Sequence, residues 1–317
     1  MGRRAILLVF GLTAASALVT RYLFSARETL PKTLSLDDFA ARYLLSLPAP
    51  SGPIKTYHLG HSLVGRDMPA MLAQLAQHEY SSQLGWGASL KNHWEGQVSG
   101  FAEENASSAF KAAGTSLDRG AYDAVILTEM VELQDAIRWH ASAQYLAQWT
   151  LRARAGNPQV RVYLYETWHR LDDPAGWLAR IDHDSTALWQ DQLLRPAMAD
   201  PAVGTIYVIP GGQVLGAVAR AIDAGQVPGL TARTQVFAQQ HDGTSDPIHL
   251  NDLGHYLMAL THYAVLYHKS PLGLPHQLRR ADGRTADSFS IEQAHVLQQV
   301  VWQTVTRYRT SGVVQVR

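Results

Sequence analysis

Two short stretches, far apart in the chain, carry residues whose types suit acyl transfer. Gly60-His61-Ser62-Leu63 follows an apolar run and precedes a helical pattern, and Asp246-Pro247-Ile248-His249 stands just ahead of a late helix. A serine at a strand-to-helix turn is held at a sheet edge, where its hydroxyl meets both a base and backbone N–H donors. A histidine in a loop can take the serine proton. An aspartate three residues earlier folds back to orient the imidazole and stabilise its cation. Singly, each piece has a plainer meaning: Gly and Ser fill turns, Asp opens a turn before Pro, and a loop histidine is ordinary. Together, at the ends of predicted elements, they predict Ser62 as nucleophile, His249 as base and Asp246 as orienting acid.

The elements that position them alternate. Ser35 caps an amphipathic pattern over Leu34 to Leu47, and Pro48, Pro50, Gly52 and Pro53 break the chain before an apolar strand at Ile54 to Leu59. Met68, Met71, Leu72 and Leu75 recur at helical spacing after Gly65. Further strands are predicted at Tyr122 to Leu127, Val160 to Tyr165 and Thr205 to Ile209. Helices are predicted at Ala141 to Arg154, Pro174 to Leu194, Val214 to Ala224, Asp252 to His268 and Ile291 to Tyr308. Strands nearly continuous in apolar residues and separated by helices imply a parallel sheet covered on both faces, with functional groups at the strands' carboxyl ends. The fold class is α/β, a three-layer α/β/α sandwich with a central parallel sheet. No repeat or long linker splits it, so residues 28–317 read as one domain.

On these residues the chain resembles the SGNH or GDSL-type serine esterases and acetylhydrolases. They carry a Gly-x-Ser-Leu block early and an Asp-x-x-His block late. Leu250-Asn251-Asp252-Leu253-Gly254-His255-Tyr256 continues the late block as that family does, and the resemblance spans about residues 54 to 268. It implies a flavodoxin-like hydrolase fold, an acyl-enzyme on Ser62 and no cofactor. It also implies an oxyanion hole from the Ser62 N–H and a second-block glycine, here Gly87, with Gly85 the next choice. The third block departs from the family pattern: after Ala124-Val125-Ile126-Leu127, Thr128-Glu129-Met130-Val131 stands where an asparagine donor is usual. Losing one oxyanion donor costs on the order of 3 kcal/mol in the transition state. Glu129, Trp168 and His93 are the expected substrate-contacting side chains, although a tryptophan at a strand end is more often core and His93 suits structural support equally. His61, in place of the usual aspartate, is expected to brace the turn.

Composition narrows the partners. The 317-residue chain balances 27 basic against 27 acidic residues, which argues against a nucleic-acid footprint, and it has no cysteine, which removes thiolate chemistry and disulfides. Fourteen histidines invite a metal site. His255 and His262 share a predicted helix, yet no His-Glu-x-x-His or ligand-spaced carboxylate cluster accompanies them, so no metal is expected. Arg3 and Arg4 precede the uncharged stretch Ala5 to Thr20, closed by Arg21. This reads as a secretory signal over residues 1–27, or as an uncleaved inner-membrane anchor over residues 5–24 if Tyr22, Leu23 and Phe24 extend it. The domain is then periplasmic or extracellular. The expected reaction is removal of short acyl groups, acetyl first, from a carbohydrate or other small ester. Its alternatives are an exported polysaccharide O-acetyltransferase using the same triad, or a degraded glycan-binding module.

Overall fold

The computed structural model describes residues 33–313, within one compact unit, Thr33–Arg317. The signal or anchor expected over residues 1–27 lies outside the described residues. Among those described, no helix is long and apolar enough to cross a membrane.

Strands β1 (Thr56–His61), β2 (Tyr80–Gly85), β3 (Ala124–Leu127), β4 (Arg161–Glu166) and β5 (Tyr207–Pro210) form one sheet in the order β2-β1-β3-β4-β5, every pair parallel. The side-chain period of two divides the strands between two cores. Tyr57, Leu59, Val125, Leu127, Val162 and Leu164 face the helices Leu36–Ala41, Leu90–Glu95, Leu133–His140 and Ser142–Gly156. Ile126, Tyr163, Tyr165 and Ile209 face Asp67–Ala76, Gly211–Asp223, Asp252–Tyr267 and Ile291–Arg307. Both faces are therefore buried, which is why the central strand β3 is apolar throughout instead of alternating. Asp252–Tyr267 is apolar nearly all round because it packs between Asp67–Ala76 and Ile291–Arg307.

Four elements differ from the sequence expectation. β2 was not foreseen: Tyr-Ser-Ser-Gln-Leu-Gly carries no β-branched residue, yet Ser81, Ser82 and Gln83 are buried. Ala109 and Lys111 complete its outer edge through Ser82 N–H to Ala109 O (2.9 Å) and Lys111 N–H to Ser82 O (3.2 Å). The helix over 34–47 contracts to Leu36–Ala41. The one over 174–194 begins at Trp177 and runs as a π-helix over Ser185–Leu194. Asp246 and His249 sit on a strand, not in a loop: β6 (Phe237–Gln239) and β7 (Ser245–Leu250) make an antiparallel ribbon. Pro247, which has no N–H, is tolerated there because the ribbon has only two strands. Its carbonyl accepts from Leu171 N–H at 2.8 Å.

Candidate active site

Ser62 stands one residue past β1, at the carboxyl edge of the sheet. Gly60 allows the strand to run that far, since a Cβ there would lie 2.7 Å from Thr128 Cβ and 2.8 Å from a Val64 methyl. Two buried histidines then fix the turn. His61 Nε2–H donates to Glu129 O at 2.9 Å while its Nδ1 faces Leu63 N–H at 3.4 Å, and His93 Nε2–H donates to Gly60 O at 2.8 Å with Nδ1 accepting from Gln83 at 3.0 Å. Both arrangements need neutral rings. Burial pushes each imidazole down to about 4, so both are neutral in ordinary buffers.

From β7, His249 Nε2 lies 3.0 Å from Ser62 Oγ, and His249 Nδ1 lies 3.0 Å from Asp246 Oδ2. Asp246 Oδ1 accepts from the backbone N–H of both Ile248 and His249 at 2.8 Å. Partial burial alone would raise the Asp246 pKa. The two backbone donors and the His249 ring outweigh that and hold the carboxyl below its usual range. With Asp246 ionised, Nδ1 carries the proton and Nε2 is left to accept from the serine hydroxyl. The structure thus brings Ser62, His249 and Asp246 into one chain of hydrogen bonds.

Gly87 lines the same cleft of about 500 Å³, together with His61, Leu63, Trp86, Glu104 and Ile248. Its φ of +53° turns the backbone after β2, its missing side chain leaves open space, and it makes no hydrogen bond among the described residues. A free N–H in a cleft beside the serine is what an oxyanion needs. Gly85 is packed against Val98 instead and does not line the cleft.

The three side chains expected to touch substrate do not line the cleft. Glu129 is fully buried, and its Oε1 accepts from Met130 N–H (2.8 Å) and from Leu90 N–H (3.3 Å), the first residue of the helix Leu90–Glu95. It is a helix-end anchor and does not line the Ser62 cleft. Burial raises its pKa to about 7 against the pull of those donors. Trp168 is 1% exposed and donates from Nε1 to Ile248 O at 2.8 Å. It backs the β7 ribbon and, contrary to expectation, does not line the cleft. His93 props β1 as described. His255 and His262 also part company: His255 lies against Gly65, His262 against His58 and Tyr165.

A charged cluster missed by sequence reasoning supports the same ribbon. Arg180 bonds Asp184 (2.7 Å), Asp173 (2.7 Å) and Glu132 (2.8 Å), and His169 Nε2 lies 3.1 Å from Asp184. Burial would raise the Glu132 carboxyl, but His169 and Arg180 bring it down to about 2. Glu132 follows Val131 on the cleft wall, and His169 follows Trp168 behind Ile248. Glu132 comes from a distant segment, and the one helical spacing within the cluster, Arg180 to Asp184, looks like an ordinary i,i+4 surface pair, so the sequence does not reveal it. Trp86 and Glu104 were missed because the strand that ends beside them was missed.

No family model and no curated protein matches the chain. Among solved structures it is similar to a DUF4886 family protein from Bacteroides uniformis ATCC 8492, at 15% identity and TM-score 0.52, covering 83% of this chain and 98% of that one. It is also similar to a protein from Parabacteroides merdae ATCC 43184 described as a GDSL-like lipase, at 13% identity and TM-score 0.43, covering 70% and 100%. The first likeness is one of fold. The chain has the three-layer α/β fold shared with the Bacteroides DUF4886 protein, and it is the fold implied by its resemblance to SGNH and GDSL-type esterases.

Proposed function

We propose that this chain is a serine ester hydrolase of the SGNH type that removes short acyl groups, acetyl first, from hydroxyl-rich substrates such as carbohydrates. The observation that carries the reaction class is the Asp246–His249–Ser62 chain of 3.0 Å contacts opening on a cleft. The Ser62 Oγ attacks the ester carbonyl as its proton passes to His249 Nε2, and Asp246 stabilises the imidazolium. The Ser62 and Gly87 N–H groups receive the negative oxygen. His249 returns the proton to the departing alcohol, leaving acyl-Ser62. A water deprotonated by His249 attacks the acyl carbon, the Ser62 Oγ–acyl bond breaks as His249 Nε2–H returns its proton to Oγ, and the free acid leaves. The Gly60, His61 and His93 contacts hold the nucleophile in place through these steps. In this reading Glu129, which does not line the cleft, is no part of the hole, so either another group supplies its third donor or turnover is modest.

Residues 3–21 support an exported location, with the domain outside the cytoplasmic membrane.

The test is hydrolysis of 4-nitrophenyl acetate by the chain and by Ser62→Ala. Loss of about a thousandfold or more in kcat/KM is expected, and equal rates would overturn the reading. An acetyl product formed only when an oligosaccharide acceptor is added would instead favour acyl transfer to a second sugar.

A further inference from the structure

Trp86 is 54% exposed on the wall of the Ser62 cleft, between Gly85 at the end of β2 and Gly87. A single exposed ring is ordinary by itself, as the exposed Trp139 shows; what sets Trp86 apart is its place on the wall of the Ser62 cleft. The ring is also fixed in place. Its Nε1–H donates to Glu104 Oε1 at 2.9 Å, and the Trp86 N–H donates to Ser99 O at 2.8 Å. One side of the indole lies on the main chain at Gly100, whose φ is +63° and where a Cβ would run into the ring. Glycine alone allows that approach. The segment therefore holds one indole face out in a single orientation before any ligand arrives.

The cleft continues past Ser62. A second space of about 500 Å³ shares Ser62 and Glu104 with the first and is lined by polar side chains, including Arg66, Asp67, Ser107, Ser108, Asp282 and Arg284. Its outer wall is anchored: Ala281 N–H donates to Asp67 (2.8 Å), Arg279 N–H to Gln74 (2.9 Å), and Arg280 pairs with Asp252. Arg66 has no hydrogen-bond or ion-pair partner among the described residues, and the Glu104 carboxylate makes no side-chain bond other than to Trp86. A flat aromatic ring, a carboxylate and a hydrogen-bonding trough suit an amphipathic, hydroxyl-rich ligand. They do not suit an acyl chain, which would leave the polar groups unpaired.

We propose that Trp86 is the stacking platform for a sugar ring of the substrate, with Glu104 accepting from one of its hydroxyls, so that esterified oligosaccharides are the substrate class. The axial C–H face of a pyranose carries partial positive charge and meets the negative face of the indole. The inference deepens the ester-hydrolase reading and depends on it for the reaction, but not for binding.

Two measurements test it on acetylated xylo-, cello- and chito-oligosaccharides. The first compares their kcat/KM with that for ethyl acetate, which has no ring to stack. Trp86→Ala is expected to lower that ratio about tenfold, mostly through KM, for at least one of the three, with Trp86→Phe recovering most of the loss. An unchanged ratio for all three overturns the platform. The second titrates the same oligosaccharides calorimetrically into Ser62→Ala, with and without Trp86→Ala. Binding that disappears with the indole supports the platform even where no ester is hydrolysed, in which case the hydrolase reading alone falls. Ser62-dependent hydrolysis of ethyl acetate, with oligosaccharide binding absent or indifferent to Trp86, removes the platform and leaves the hydrolase.

Discussion

At the scale of residues, Asp246 does two jobs with two oxygens. Oδ2 orients His249, while Oδ1 closes the turn by accepting from Ile248 and His249 N–H. Asp246→Asn can keep only one of these. If its amide oxygen stays with the backbone donors, its NH2 faces His249 Nδ1, and the ring turns over to the tautomer that puts a hydrogen on Nε2. The serine then has no base. A kcat lower by about 10³ to 10⁴ with KM little changed is expected in steady-state kinetics, at unchanged melting temperature. His61 gives the complementary case, since its bonds act on geometry alone. His61→Phe leaves Leu63 N–H and Glu129 O without buried partners. It should cost about 2 kcal/mol in urea denaturation and lower kcat through misplacement of Ser62.

At the scale of elements, the ribbon β6–β7 owes its position to groups that never meet substrate. Trp168 Nε1 holds Ile248 O, Leu171 N–H holds Pro247 O, and behind them Arg180 ties Asp173, Asp184 and Glu132 together. Among the described residues, Arg180→Met removes the one arginine of a part-buried cluster and leaves three carboxylates beside His169 and the exposed His183. A loss of about 3 kcal/mol is expected by chemical denaturation, partly relieved at low pH where the carboxylates protonate. The parts of the site legible in the sequence were those with local spacing. Asp246 and His249 are three residues apart, Ser62 follows an apolar run, and Gly87 sits in a glycine-rich turn. Support that converges from distant segments was not legible, as the burial of Trp168, Glu129 and His93 shows. Glu129 and Trp168 were suggested by strand ends and His93 by its place after the second-block glycines, but only the fold decides which side chains there face the cleft. β2 escaped because a polar edge strand completed by Ala109–Lys111 lacks the apolar signature that identified β1, β3, β4 and β5. With it went Trp86.

At the scale of the molecule, an unusual share of histidine is buried. His61, His78, His93 and His262 are at most 8% exposed, and burial brings each, with His268, down to about 4 from 6.5. Glu129 and Glu166 go the other way, raised by burial from 4.5 to about 7 and about 8. The two groups oppose each other between pH 4.5 and 6.5. There the unfolded chain binds about one more proton at each of the five histidines, and the folded chain about one more at each of the two glutamates. The histidines outnumber them, so stability rises with pH across this window and is lost on acidification. Above pH 6.5 the unfolded chain's histidines shed their remaining protons, so their slope fades and is gone by about pH 7.5. The glutamates still bind protons only when folded, so the stability they contribute declines as pH rises through 7 and 8. Each group is worth at most a few kcal/mol, less for the more exposed ones. The urea midpoint should therefore peak between about pH 6.5 and 7, fall steeply toward pH 5 and fall more gently toward pH 8.5. Glu129→Gln should flatten the alkaline side, because an uncharged amide in that site has no proton to lose. A midpoint that keeps rising above pH 7 in the unmodified chain would show that the buried carboxyls are already ionised in the fold.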